Sequence, residues 1–152
     1  MLKFELIKEV PQKIPKKFFE EIIFGAYKVI EDKVESYLEG RDGLIDIVLV
    51  DDARIQELNK EYRGNDKPTD VIAFAYLEVT DFKKEEGEVI AGDIFISVDT
   101  ALSQAKTHKH TLKDEIKLLL VHGILHLFGF DHNTDEEEEQ MEFIAKQILS
   151  QI

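Results

Sequence analysis

The segment LKDEIKLLLVHGILHLF at 112–128 constrains the fold of this chain more than any other. It is apolar over most of its circumference, so it predicts a long helix that is largely buried. That helix nevertheless carries two histidines, His122 and His126. Four residues apart on a helix, two imidazoles share one face about a turn apart and can reach one ion. Gly129 is placed to end the helix, since helices often close on a left-handed glycine. A chain reversal there can swing His132 back toward the same point. Three neutral imidazoles hold zinc with a fourth position open, and an open position marks a catalytic rather than a structural site. One zinc ion per chain is therefore expected, on His122, His126 and His132.

Cysteine is absent. That removes disulfides, thiolate metal sites and cysteine nucleophiles together, and leaves histidines and carboxylates as ligands. The spacing H-x-x-x-H-x-x-G-x-x-H is also the metzincin protease pattern with one change. Those proteases carry a general-base glutamate after the first histidine, and this chain has Gly123 there. Asp131, beside His132, is the nearest carboxylate. It either serves the chemistry by orienting a ligand or caps a turn.

The 152 residues fit a single domain spanning 1–152. Strands are expected at 2–8, 44–50, 71–77 and 91–97. A helix starts at Pro15, and a short one follows Asp51 or Asp52, which can cap it. Loops are expected at 62–70 and in the acidic stretch 78–88, and helices at 98–107, 112–128 and 135–151. Thr134 and Glu137 form a capping box for the last helix, whose acidic start suits the helix dipole. The order of elements predicts an α+β fold: one small four-stranded mixed sheet covered by about five helices, with the zinc site on the long helix of the C-terminal half. Residues 1–10 contain no uninterrupted apolar stretch, which argues against a signal peptide. No run reaches the roughly 20 apolar residues of a membrane span. A soluble cytoplasmic protein is expected, with no membrane partner and no small-molecule cofactor.

At this point three stretches resemble the bacterial rRNA maturation factors known as the YbeY endoribonucleases. HGILHLFGFDH at 122–132 resembles that family's H-G-x-L-H-L-x-G-(Y/F)-D-H. LNKEYRGNDKPTDVIAF at 58–74 resembles L-N-x-x-(Y/F)-R-x-x-D-x-(P/A)-T-(D/N)-V-L-(S/A)-F, and GDIFIS at 92–97 resembles G-D-I-x-I-(C/S). The matches come in family order. The second separates this family from the metzincins. Ala73 and Ser97 stand where other members often carry Ser and Cys. The resemblance implies a zinc-dependent, single-strand-specific endoribonuclease acting in rRNA maturation, particularly at the 3′ end of 16S rRNA, and in ribosome quality control. Its partners would be RNA and the ribosome or ribosomal proteins. It implies His122, His126 and His132 as metal ligands and Arg63 as a functional arginine.

The chemistry agrees from below. An arginine fork suits phosphate, so Arg63 is a candidate for catalysis and substrate binding. The alternative for Arg63 is a salt bridge to Asp66 or Asp70. Lys60 and Lys67 lie in the same region and are candidate substrate-binding residues. Lys106, His108, Lys109, His110 and Lys113 form a second basic cluster, which is either part of an RNA cleft or a solvated helix face. The net charge of −13 opposes sequence-independent nucleic-acid binding. If the substrate is RNA, the cleft must be locally positive, with the acidic excess in Glu136–Glu139 and the 78–88 loop. Two rivals remain: a metalloprotease, and a non-catalytic ribosome-associated factor in which zinc holds a surface.

Overall fold

The computed structural model of the protein describes residues 1–77 and 87–152. The acidic stretch read as a loop at 78–88 lies mostly outside the described residues. The elements run β1 (Leu2–Lys8), α1 (Lys16–Leu38), β2 (Asp42–Val50), α2 (Asp52–Arg63), β3 (Val71–Ala75), β4 (Glu88–Ser97), α3 (Val98–His108), α4 (Leu112–Leu127) and α5 (Asp135–Gln151). The sheet order is β1-β2-β4-β3. β1, β2 and β4 run parallel, and β3 closes one edge antiparallel to β4. This is the expected α+β fold, with a four-stranded mixed sheet and five helices among the described residues. No helix among the described residues is long and apolar enough to cross a membrane.

Side chains alternate across the strands, so the sheet has two different faces. Ile45, Ile47, Leu49, Ile94 and Ile96 point into the main core with α1, α4 and α5. Val48, Val50, Ile72, Phe74 and Phe95 point the other way and meet Ile55 and Leu58 of α2 in a smaller cluster. Helix α4 is buried as its composition requires, with Leu120, Val121, Ile124, Leu125 and Leu127 fully covered. Thr111 starts it with a capping box to Asp114, a feature not expected from the sequence.

Several boundaries differ from expectation. β3 stops at Ala75 and β4 begins at Glu88. α2 continues through Arg63 to a left-handed Gly64, so Tyr62 and Arg63 are helical rather than in a loop. Pairing with β1 and β4 extends β2 back to Asp42, and Gly43 lies inside the strand. β4 accommodates one extra residue, Ala91, between the partners of Leu44 and Ile45, which is a bulge.

The second face of the sheet carries a row of acids. Glu5 pairs in register with Asp46, and Asp46 with Asp93. Tyr76 donates to Asp93 at 2.5 Å. Burial, and then the neighbouring Asp93 and Glu5 charges, raise the Asp46 pKa above its ordinary value. The folded state thus binds the Asp46 proton more tightly than the unfolded chain does. Its ionisation costs stability, a cost absent below the ordinary carboxylate pKa and complete once pH exceeds the raised one. Asp46→Asn should therefore raise the thermal midpoint at pH 7 by a few degrees, roughly the effect of 1 kcal/mol. The gain should shrink as the pH is lowered toward 4. Melting curves at several pH values check this, and a gain that grows on acidification would overturn it.

Candidate metal centre and cleft

The C-terminal half of α4 ends beside an open cleft of about 820 Å³. α4 supplies His122 and His126, the turn after it supplies His132, and the end of α2 supplies Arg63. Thr69, Asp70, Val71 and Ala73 form the wall on the β3 side, and Gln104, His108 and Glu115 form the far end.

The chain reversal behind the histidines follows from Gly129, whose φ of +85° lies in the left-handed region that favours glycine. The backbone N–H groups of Phe128, Gly129 and Phe130 then fold back onto carbonyls of Leu125 and His126. The His126 and His132 rings stand 5.3 Å apart between centroids. His126, Asp131 and His132 bring one ligand atom each within 4.8 Å of one another. His122 is outside that tight group, although it lines the same cleft. Its Nδ1 donates to the Leu118 carbonyl at 2.9 Å, which fixes the ring and leaves Nε2 as the lone-pair nitrogen. Burial, and then the neighbouring His132, lower the His126 pKa, which favours the neutral ring, the form a ligand needs. The donor set of three imidazoles with an adjacent carboxylate therefore suits a divalent ion of the zinc class.

Asp131 holds the turn. Its Oδ1 accepts from the His132 backbone N–H at 2.8 Å, and its Oδ2 accepts from Asn133 at 2.8 Å. The same Oδ1 lies 3.6 Å from His132 Nδ1. Arg63 makes no ion pair among the described residues. Asp66 is instead near Lys60 and accepts from Gln56, while Asp70 accepts from the Val71 N–H. Lys60 and Lys67 are not part of the cleft wall. Lys60 faces Asp66 at 3.9 Å. The Lys67 carbonyl accepts from the buried Asn59, which ties down the loop between α2 and β3. Of the second basic cluster only His108 reaches the cleft.

The charge of the cleft differs from expectation. Among the described residues, one guanidinium, that of Arg63, stands against three carboxylates, those of Asp70, Glu115 and Asp131. The side chains alone do not make it positive. Glu115 is the residue that sequence reasoning missed: it is 2% exposed, and its Oε1 lies 2.8 Å from His108 Nδ1 and 2.7 Å from His110 Nε2. These three side chains are a second group whose ligand atoms fall within 4.8 Å.

The family description Endoribonuclease YbeY matches residues 7–152 of this chain. A Sulfurihydrogenibium protein named Endoribonuclease YbeY is 43% identical over 126 residues, covering 83% of this chain and 80% of its own. Its Bacillus licheniformis counterpart of the same name is 42% identical over 133 residues, covering 78% of this chain and 81% of its own. The solution structure of TM1509 from Thermotoga maritima superposes with a TM-score of 0.59 at 24% identity, covering 99% of this chain and 90% of that one. It shares the fold.

Gly123, which stands where the proteases have glutamate, has a packing reason. A Cβ there would meet Ile94 Cγ2 at 2.9 Å and Cδ1 at 3.1 Å, and Ile94 is fully buried in β4. Gly123→Ala gains about 1 kcal/mol of helix propensity, but overpacking a core typically costs about 1–3 kcal/mol. The second effect should win, lowering the urea midpoint. An unchanged or higher midpoint would show that α4 does not need its close approach to β4.

Proposed function

This chain belongs to the YbeY endoribonuclease family, and from that premise we propose that it is a zinc-dependent endoribonuclease cutting single-stranded RNA in the α4 cleft. Its place is the maturation of rRNA in the cytoplasm, particularly the 3′ end of 16S rRNA, and ribosome quality control, with the ribosome or its proteins presenting the strand. The observation that carries this reading is Arg63, a guanidinium with no ion pair among the described residues, which lines the same cleft as His122, His126 and His132.

His122, His126 and His132 would hold the ion. When bound, such an ion supplies Lewis acidity at a phosphoryl oxygen and acidifies a water to a usable nucleophile. Leu118 orients His122 through its carbonyl, and the neutral His126 offers its lone pair. Arg63 clamps two phosphate oxygens with its planar fork and opposes the charge that grows as the phosphate is attacked. Asp131 is a positioning residue: it grips the His132 backbone and Asn133 and so holds His132 toward the ion. Lys60 and Lys67, outside the cleft wall, would meet RNA only beyond the reacting phosphate.

The surplus of carboxylates in the cleft favours one second reading, a non-catalytic factor whose metal holds a ribosome-binding surface. Cleavage decides between the two. A chelator should abolish cleavage of single-stranded RNA by the purified protein, and added zinc should restore it. Arg63→Lys should lower kcat/KM by about 100-fold, the usual scale for losing one well-placed donor to a transition state. The thermal midpoint should stay the same. Full activity in Arg63→Ala would remove the proposed role, and no cleavage by zinc-loaded wild type would leave the binding-factor reading.

A further inference from the structure

We propose that His108, His110 and Glu115 form a second divalent-cation site, of the zinc class, at the far end of the same cleft. The three ligand atoms already converge within 4.8 Å. They come from the last residue of α3, the turn after it, and the first turn of α4.

Their arrangement is built. Lys109, between the two histidines, has φ +58°, a left-handed conformation that a side chain other than glycine adopts at a cost. That conformation turns the chain so that two imidazoles two residues apart meet one oxygen. The oxygen belongs to a carboxylate that is 2% exposed, and a buried charge is tolerated only with close partners. Gln104, with its amide oriented to donate, holds the other oxygen, Oε2, at 3.0 Å and reaches Asp70 at 3.3 Å. Oε1 is left to the two histidines. Two imidazole nitrogens and one carboxylate oxygen are a donor set that zinc and its neighbours accept, with positions left open.

The metal-free distances of 2.8 and 2.7 Å are those of hydrogen bonds. Around a tetrahedral ion with bonds of about 2.0–2.1 Å, ligand atoms stand roughly 3.3 Å apart. The side chains need to part by about half an ångström, and His108, 53% exposed, is free to do so. To ligate, each neutral imidazole needs its proton on the ring nitrogen away from the ion, His108 Nε2 and His110 Nδ1.

This site is independent of the first. Glu115 and His122 are seven residues apart on α4, about 10.5 Å along the helix. Paired ions that share one phosphate stand about 3.5–4 Å apart. The second ion therefore does not act on the reacting phosphate, and its role is electrostatic. The cleft carries one guanidinium against three carboxylates. One divalent ion brings it to neutrality and a second makes it positive, as a polyanionic substrate requires. This last step rests on the ribonuclease reading, but the site itself does not.

The test counts ions and uses no RNA. The full-length protein, stripped of metal, is titrated with zinc against a chromophoric chelator, with bound metal measured after gel filtration. Wild type should hold two ions per chain. His108→Ala and Glu115→Gln should each hold one, with affinity at this site down about 100-fold or more, beyond the 10–100-fold cost of losing an outer-shell partner. His126→Ala should keep this ion and lose the other. Cobalt absorption should report the same counts. His108→Ala, at an exposed position, guards against misfolding in Glu115→Gln. Wild type holding only one ion, which His126→Ala removes, would overturn the proposal and leave a hydrogen-bonded cluster. So would two ions untouched by His108→Ala. A single ion lost in His108→Ala but kept in His126→Ala would support this site and overturn the first.

Discussion

The close approach of α4 to β4 is the constraint on which the rest depends. α4 is a core helix, with Leu120, Val121, Ile124, Leu125 and Leu127 fully buried, and it must still present two imidazoles to solvent. It does so by lying against the sheet where Gly123 meets Ile94. That contact turns the face with His122 and His126 toward the edge strand β3, whose Val71 and Ala73 share the cleft with them. Any side chain at 123, the position of a protease's glutamate, would press its Cβ on Ile94 Cγ2 at 2.9 Å and push α4 from β4. One packing contact thus fixes the helix, opens the cleft and removes the protease's general base.

Electrostatics then works on a surface of the wrong sign for RNA. The net charge is −13, and α5 opens with Asp135, Glu136, Glu137 and Glu138 on its dipole-favoured first turn. The cleft carries carboxylates too, but these are engaged. Asp131 grips the His132 turn, Asp70 caps Val71 and Glu115 holds two histidines. Each fixes an imidazole or a stretch of backbone. On the proposed reading, the positive charge that phosphate requires would come from Arg63 and from an ion held by the histidines.

Much of this was legible in the sequence, and for physical reasons. An apolar run with histidines at helical spacing and a following glycine states both the burial of α4 and the return of His132. The order of strands and helices states the α+β class. Other features were not legible. Glu115 lies in a run with Lys113, Asp114 and Lys117, and nothing local separates a buried acid from its solvated neighbours. The hint was His108 and His110 seven and five residues before it, which read as part of a basic cluster. Lys60 and Lys67 sit in the arginine motif, yet they fall outside the cleft wall because a helical face and a loop, not sequence proximity, decide where side chains point. Asp131, not His122, completes the tight group with His126 and His132, while the His122 ring is held by the Leu118 carbonyl.

The cleft's charged wall follows from the strand order. β2 and β4 are parallel neighbours, so the helices that follow them, α2 and α3, start side by side. Their starts are cross-braced: Asp52 accepts from Ser97 at 2.6 Å and from Thr100 at 2.5 Å, and its own N–H donates to Asp99. From that common origin α2 runs 12 residues and α3 runs 11, about 18 and 16.5 Å. Both stop on a left-handed cap, Gly64 and Lys109. Their last residues, Arg63 and His108, line the same cleft. Removing one residue from α2 would rotate Arg63 by about 100° about the helix axis and carry its guanidinium off the wall. The Arg63 and His108 sides of the cleft thus stand at the ends of helices that start from a braced origin, and the loop that Asn59 anchors through Lys67 returns the chain to β3.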